Sequence, residues 1–250
     1  VLYSYAYTYD PLGNRLTMNK SGVITAYTYN NLNQLTKTVS SSVTNTYTYN
    51  NNGNLTRAVE GGKTNNYLYD YDNRLTRITY PDATTSLFVY RADSTRVKTT
   101  EGSVVTNYLY DGQLPVIERN GSNVTQNTYT NGIGFAGGIG GLISQTAAAA
   151  TTWYHFVHNG PTNVSHLTNS TGAVVKTYNY EAFGNIVAQS GTATNTRQFQ
   201  TKETNSKSKL VYFGQRWYNP VVGRWTTPDP LGMVDGPNLY AYLNNDPLNS

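Results

Sequence analysis

The sequence predicts an all-β fold built from tandem β-hairpins that stack into a large continuous sheet. Three observations carry that prediction. A tyrosine pair recurs at a fixed period: its second members stand at 9, 29, 49, 69, 90 and 110, giving spacings of 20, 20, 20, 21 and 20. Tyr3, Tyr5, Tyr7 and Tyr9 alternate strictly, which places all four rings on one face of an extended strand. The chain of 250 residues carries 23 tyrosines among abundant threonines, the composition of a pleated, half-wetted surface rather than of helices.

The repeat justifies each element in turn. Tyr7-Thr8-Tyr9-Asp10 returns as Tyr27-Thr28-Tyr29-Asn30, Tyr47-Thr48-Tyr49-Asn50, Tyr67-Leu68-Tyr69-Asp70, Phe88-Val89-Tyr90 and Tyr108-Leu109-Tyr110-Asp111. A polar turn follows each pair, such as Asp10-Pro11-Leu12-Gly13-Asn14 or Asn50-Asn51-Asn52-Gly53-Asn54. Asp, Asn, Pro and Gly supply the local side-chain bonds, fixed φ and positive φ that such turns need. A Leu-Thr pair opens the return strand, read as Leu16-Thr17, Leu35-Thr36, Leu55-Thr56 and Leu75-Thr76. Second turns, Lys20-Ser21-Gly22 or Glu60-Gly61-Gly62, lead to the next tyrosine pair. One hairpin cannot bury its face alone, whereas a stack of them makes a continuous sheet.

Composition sets the limits. Leu, Ile, Val and Phe make up 51 of 250 residues, the level at which a dense aliphatic core begins to fail. Net charge is only +4 with 13% charged residues, so disorder is not favoured, and tyrosine supplies the contact area instead. Its hydroxyl wants a partner, so the strands suit a sheet wrapping a solvated space; a compact polar β-solenoid without a lumen is the alternative. There is no cysteine, hence no disulfide and no thiolate metal site. No run reaches the roughly 18 apolar residues of a membrane helix. The pI near 9.0 comes from scattered Lys and Arg, which argues against nucleic-acid binding. The start at Val1, without a leader pattern, reads as a fragment whose export signal would lie upstream.

The C-terminal third adds specific motifs. They are Ser170-Thr171-Gly172-Ala173-Val174-Val175 with Tyr178-Asn179-Tyr180-Glu181-Ala182-Phe183-Gly184, then Leu210-Val211-Tyr212-Phe213-Gly214-Gln215-Arg216-Trp217-Tyr218-Asn219-Pro220. Gly223-Arg224-Trp225-Thr226-Thr227-Pro228-Asp229-Pro230-Leu231-Gly232 and Asn238-Leu239-Tyr240-Ala241-Tyr242-Leu243-Asn244-Asn245-Asp246-Pro247 complete the set. With the tyrosine-aspartate repeat, these resemble the Rhs / YD-repeat family: bacterial Rhs polymorphic toxins, the C subunits of insecticidal Tc toxins, and teneurins. The resemblance covers essentially the whole chain and is weakest from about 129 to 165. It implies tandem YD repeats over 1–128, a glycine/alanine-rich degenerate region over 129–165, and an Rhs-associated core over 166–250.

That resemblance implies a sheet spiralling into a hollow shell, closed by the core segment, around a variable C-terminal toxin or effector domain held in cis. Secretion-apparatus or toxin-delivery proteins become the expected partners, and a secreted or cell-surface location the expected one. In many members the core cuts the cargo free by aspartyl-type self-proteolysis. Carried over, the first motif aspartate is Asp229 and the assisting arginine is Arg216. The second D-P-x-G is absent. Asp246-Pro247 lacks the glycine and falls where the family has N-N-P, so the chain as it stands is not expected to be catalytic.

Each feature has a plainer reading. Asp10-Pro11-Leu12-Gly13 has the same pattern as Asp229-Pro230-Leu231-Gly232 and is a repeat turn, so Asp229 is either a turn residue or a catalytic one. Arg216 divides the same way, and Arg224 reads as structural. Gly132-Ile133-Gly134-Phe135-Ala136-Gly137 matches G-x-G-x-x-G, but no acid follows until Glu181, so it reads as a glycine-rich strand turn or mobile loop and not as a dinucleotide site. His155, His158 and His166 make a poor metal set with no acid nearby. No G-x-S-x-G or H-E-x-x-H occurs. No cofactor and no independent enzyme are therefore expected. The rival to the encapsulating shell is a cell-surface module whose tyrosines and amides bind glycans or another surface protein.

Overall fold

A computed structural model describes residues 3–132, 141–147, 153–159 and 163–247. The chain forms two compact units, Val1–Ser86 with Gly223–Ser250, and Leu87–Val222. Both are almost entirely β.

The first unit contains β1 (Tyr5–Tyr9), β2 (Arg15–Lys20), β3 (Val23–Tyr29) and β4 (Leu35–Ser40). It continues with β5 (Val43–Tyr49), β6 (Leu55–Glu60), β7 (Lys63–Tyr69) and β8 (Leu75–Thr79). Each strand pairs antiparallel with the next. Strand β9 (Thr85–Tyr90) spans the sequence boundary between the units. The second unit contains β10 (Arg96–Glu101), β11 (Val104–Asp111), β12 (Leu114–Arg119), β13 (Thr125–Asn131) and β14 (Leu142–Ala147). Then come β15 (Trp153–Asn159), β16 (Asn163–Thr168), β17 (Val174–Tyr180) and β18 (Ile186–Gly191), again paired in sequence order. A small antiparallel set follows: β19 (Glu203–Thr204), β20 (Val211–Tyr212) and β21 (Trp217–Asn219).

Two kinds of turn alternate, and the sequence explains both. The two-residue loops place both central residues at positive φ, as in Ser21 (48°) with Gly22 (95°) and Gly61 (56°) with Gly62 (75°). This is the turn whose twist suits paired strands. The five-residue loops close with one bond in each direction: the Asp10 amide donates to the Asn14 carbonyl at 2.9 Å, and the Gly13 amide donates back to the Asp10 carbonyl at 3.0 Å. The fourth residue is left-handed, Gly13 at 73°, Asn33 at 59°, Gly53 at 83° and Asn73 at 60°. A register shift follows each at Thr8/Tyr9, Thr28/Tyr29, Thr48/Tyr49 and Leu68/Tyr69, the bulge expected of such loops.

The alternation holds in depth as well. The first tyrosine of a pair is buried at Tyr27, Tyr47, Tyr67, Tyr108 and Tyr178, and the residue between the pair is exposed at Thr28, Thr48, Leu68 and Asn179. The second tyrosine finds its hydroxyl partner on the backbone. Tyr29 Oη donates to the Arg15 carbonyl at 2.9 Å, Tyr110 Oη to the Arg96 carbonyl at 2.7 Å, and Tyr180 Oη to the Val164 carbonyl at 2.9 Å. In each case the side chain reaches back to the first residues of the strand immediately before its own.

One expectation is corrected. Leu16 was aligned with Leu35, Leu55 and Leu75, yet Leu16 is 42% exposed and Arg15 is 2% exposed. The cross-strand register decides it: Tyr9 faces Arg15 as Tyr29 faces Leu35, Tyr49 faces Leu55 and Tyr69 faces Leu75. The turn has fixed length, so the sixth residue after the second tyrosine goes inward whatever its type. Arg15 answers by laying its guanidinium over the Tyr7 and Tyr27 rings, at 4.6 Å and 5.5 Å from their centroids.

Candidate functional site

Asp229 sits half-buried in the first unit, in a turn that reproduces the repeat loop. Its Oδ1 accepts the Leu231 amide at 2.9 Å, and its carbonyl accepts the Gly232 amide at 3.0 Å. Gly232 has φ 71°. Asp10 is arranged in the same way, with Oδ1 accepting the Leu12 amide at 2.9 Å and Gly13 at φ 73°. The shared D-P-x-G pattern therefore has a shared physical basis, an aspartate holding its own turn. The Asp229 amide also donates to the Leu239 carbonyl at 3.0 Å, which ties the turn to the last segment of the chain.

That last segment is held by Arg224 and Tyr240. Arg224, 5% exposed, donates to Asn14 Oδ1 at 3.2 Å, to the Asn33 carbonyl at 2.5 Å and to Asn238 Oδ1 at 3.1 Å. Its guanidinium lies 4.8 Å from the Tyr29 ring centroid and 5.7 Å from that of Tyr240. Tyr240 Oη donates to the Gly53 carbonyl at 2.8 Å, at a spot where a Cβ on Gly53 would come within 2.6 Å of that oxygen. Three repeat turns thus carry the closing segment, and Arg224 is placed as a structural clamp. Burial lowers its pKa, and the neighbouring tyrosines offset this only in part.

Arg216 lies in the second unit, half-buried in the tight turn joining β20 to β21, where the Phe213 amide donates to the Arg216 carbonyl at 3.0 Å. Asp229 and Arg216 belong to different units.

A constellation that the sequence reading missed fills the interior of the second unit. Arg96 Nη2 meets Glu203 Oε2 at 2.6 Å, and Arg197 Nη2 meets Glu118 Oε1 at 2.8 Å and Glu203 Oε2 at 3.4 Å. Tyr108 Oη donates to Glu203 Oε1 at 2.9 Å, and Asn127 Nδ2 to Glu118 Oε2 at 2.8 Å. All four charged side chains are buried. Arg96 is walled by aromatic rings, 4.2 Å from the Tyr212 centroid, 4.6 Å from Tyr108 and 5.4 Å from Trp217. Burial works to raise the Glu203 pKa, but Arg96 and Arg197 outweigh it and hold the carboxyl below its ordinary range. The network joins strands β10 and β12 to the segment 197–203, so the core segment is keyed into the ladder by charge. The signal that could have found it is Arg96 itself, six residues after Tyr90, on an inward position that leucine occupies elsewhere. An arginine there demands counter-charge.

Packing completes the attachment. Gly184, at φ 88°, lies against the Phe199 ring, and Tyr218 Oη donates to the Phe183 carbonyl at 2.8 Å. Phe199 and Tyr218 stack with centroids 6.0 Å apart.

Gly132 directly follows β13, with its amide donating to the Gly141 carbonyl at 2.6 Å, while the rest of the G-x-G-x-x-G match, from Ile133 through Gly137, lies outside the described residues. The alanine run Ala148–Ala150 also lies outside them. His155 and His158 lie on β15, and His166 Nδ1 is 2.9 Å from Ser165 Oγ. Among the described residues, no group of three metal-ligating side chains occurs and no helix is long and apolar enough to cross a membrane.

Comparison with known proteins agrees with this architecture. Residues 139–248 match the Teneurin YD-shell family model. Toxin subunit YenC2 of Yersinia entomophaga is 37% identical over 82 residues, covering 31% of this chain and 8% of that protein. Teneurin-1 of Gallus gallus is 32% identical over 116 residues, 44% of this chain and 4% of that protein. The crystal structure of TcdB2-TccC3 without its hypervariable C-terminal region covers 100% of this chain and 17% of its own, with TM-score 0.59 and 18% identity, a likeness of fold. The chain thus spans less than a tenth of these two curated relatives and about a sixth of the structural one. Repeat sequence, family model and fold converge: residues 139–248 carry the Teneurin YD-shell match, and the chain as a whole resembles the Rhs / YD-repeat family and shares the fold of the TcdB2-TccC3 structure.

Proposed function

We propose that this chain is the C-terminal part of a hollow β-sheet shell that encapsulates a toxin or effector domain and helps to deliver it, in a secreted or cell-surface setting. The observation that carries the reading is the ladder of hairpins ending in a separate core segment, 197–222, which is keyed to the strands by buried charge. A wall of repeats needs only neighbours to be stable; a keyed segment suits a plug that must stay seated. The cargo follows in cis, and toxin-delivery or secretion proteins are the partners of the assembled particle. Self-cleavage belongs to the longer parent. There Asp229 supplies one carboxylate of an aspartyl pair, one member taking a proton from water and the other giving one to the leaving amide nitrogen. Arg216 orients a carboxylate or steadies the developing oxyanion.

The test uses the natural gene with whatever coding sequence follows Ser250, read by intact mass and by protease protection of the downstream domain. A cut shortly after Ser250 that disappears in Asp229→Asn and in Arg216→Ala, with a downstream domain that resists protease until the shell is denatured, is the expected result. An uncut product with an accessible downstream domain would overturn encapsulation and leave Asp229 as a turn residue. The surface-binding reading would then stand, and glycan binding by the same product would be the next measurement.

A further inference from the structure

The second unit contains a cavity of about 380 Å³ whose walls combine cations with flat rings, a size and character suited to a small ligand. Its cations are not equivalent. Arg91 pairs with Asp93 at 2.9 Å, Arg96 with Glu203, and Arg197 with Glu118 and Glu203. Lys202 alone has no such partner: among the described residues no carboxylate lies within ion-pair distance of its Nζ. It is half-buried, and it also lines a small adjoining cavity that shares Gln113, Pro115 and Arg197. Tyr110, Tyr212 and Phe213 form the flat side. The cavity therefore carries one uncompensated positive charge beside apolar rings.

We propose that this cavity binds a single carboxylate carried on a flat apolar group, with Lys202 Nζ as its counter-ion and the Tyr110, Tyr212 and Phe213 rings receiving the flat body. One spare charge fits a monoanion; a dianion would arrive with a charge that nothing in the cavity answers. Burial, and after it the charge of Arg197, pulls the Lys202 pKa down to about 8. The amine is thus charged at neutral pH under strain that an anion relieves. The groups facing it are the guanidinium ions of Arg91, Arg96 and Arg197, the carboxylates paired to them, and the Tyr110, Tyr129 and Tyr212 phenols. The same chemistry arises from a free aromatic acid or from an acidic side chain next to an aromatic residue in a peptide.

The test titrates the intact chain with benzoate, benzamide as its neutral isostere, and a capped Phe-Glu dipeptide, by calorimetry. Benzoate is expected to bind about tenfold more weakly to Lys202→Met, the loss of one charge-assisted hydrogen bond, and to recover in Lys202→Arg. Benzamide is expected to bind the wild type no better than benzoate binds Lys202→Met. Tighter binding of benzoate than of the dipeptide assigns the free acid, and the reverse assigns an acidic segment. A second arm needs no variant: limiting amine acylation of the wild type, read by peptide mass, should be slowed by benzoate at Lys202 and unchanged at Lys209. Equal binding of benzoate and benzamide, or acylation of Lys202 unaffected by benzoate, would overturn the proposal.

Discussion

Arg15 and Arg96 hold the place that Leu35, Leu55 and Leu75 hold in neighbouring repeats, and the chain accommodates an inward arginine in two ways. Arg15 rests over tyrosine rings. Arg96 has rings as well, but also Glu203 at 2.6 Å, and Glu203 in turn answers Arg197. Removing one partner of a buried ion pair leaves the others uncompensated, which costs more than the pair itself stabilises. Glu203→Gln keeps the shape while removing the charge, so it strands the buried Arg96 guanidinium and leaves Arg197 with Glu118 alone. It is expected to lower unfolding stability by about 3–5 kcal/mol, seen as a reduced urea midpoint at unchanged slope. A midpoint within error of wild type would mean that Arg96 and Arg197 are solvated and the network is not buried. Gly184 makes a steric test on the same scale. An alanine there must adopt φ 88° and push its Cβ into the Phe199 ring. The expected cost of Gly184→Ala is about 2–4 kcal/mol, whereas the same change at Gly22, left-handed but with open space around it, incurs only the backbone share.

The hairpin is the element that the sequence specifies most completely, because each turn is held by its own first residue. Asn50 Oδ1 accepts the amides of Asn52 at 3.1 Å and Asn54 at 2.9 Å. Asn50→Ala should therefore cost about 1–2 kcal/mol for the two lost bonds, and hydrogen exchange at the amides of Asn52 and Asn54 should quicken while that at Tyr67 does not. Equal protection in the variant would show that the backbone closes the turn unaided. This locality is why period, turn positions and the shared face of the alternating tyrosines could be read from spacing alone. Leu16 was misread because residue type was given more weight than turn length: a leucine invites burial, yet the register set by the Asp10 turn sends Arg15 inward. The ion network was illegible for another reason. Its members come from sequence positions 96, 118, 197 and 203, and no local pattern links them. Asp229 is intermediate, since its turn could be anticipated from Asp10, while its tie to Leu239 could not.

A molecule whose inner surface is tyrosine rather than aliphatic should show it in its response to pH. Burial raises the pKa of Tyr29 to about 12 and pushes Tyr47, Tyr49, Tyr67, Tyr129, Tyr180 and Tyr212 still higher. In the unfolded chain these phenols ionise near 10. The folded state then holds more protons than the unfolded one above pH 10, so stability is full below that value and falls as pH rises towards the folded values. Each such tyrosine costs about 1.4 kcal/mol per pH unit in that window, and several act at once against a total of about 5–15 kcal/mol. Lys202 opposes the trend, because its lowered pKa makes stability rise between about 8 and 10.5, but it is one group against many. On the acid side, Glu203 is held below its ordinary range, so its contribution is present above the usual carboxylate value and is lost as pH falls through the folded one. The expected profile of urea midpoint against pH is a plateau from about 5 to 8, a rise between about 8 and 10 from Lys202, and a steep alkaline edge above about 10. Along that edge, tyrosinate absorbance from the buried rings should appear only together with unfolding, as one cooperative transition. If most tyrosines ionise at pH 10 to 11 while circular dichroism still reports the intact sheet, the rings are wet, and the inner face described here is solvated rather than packed.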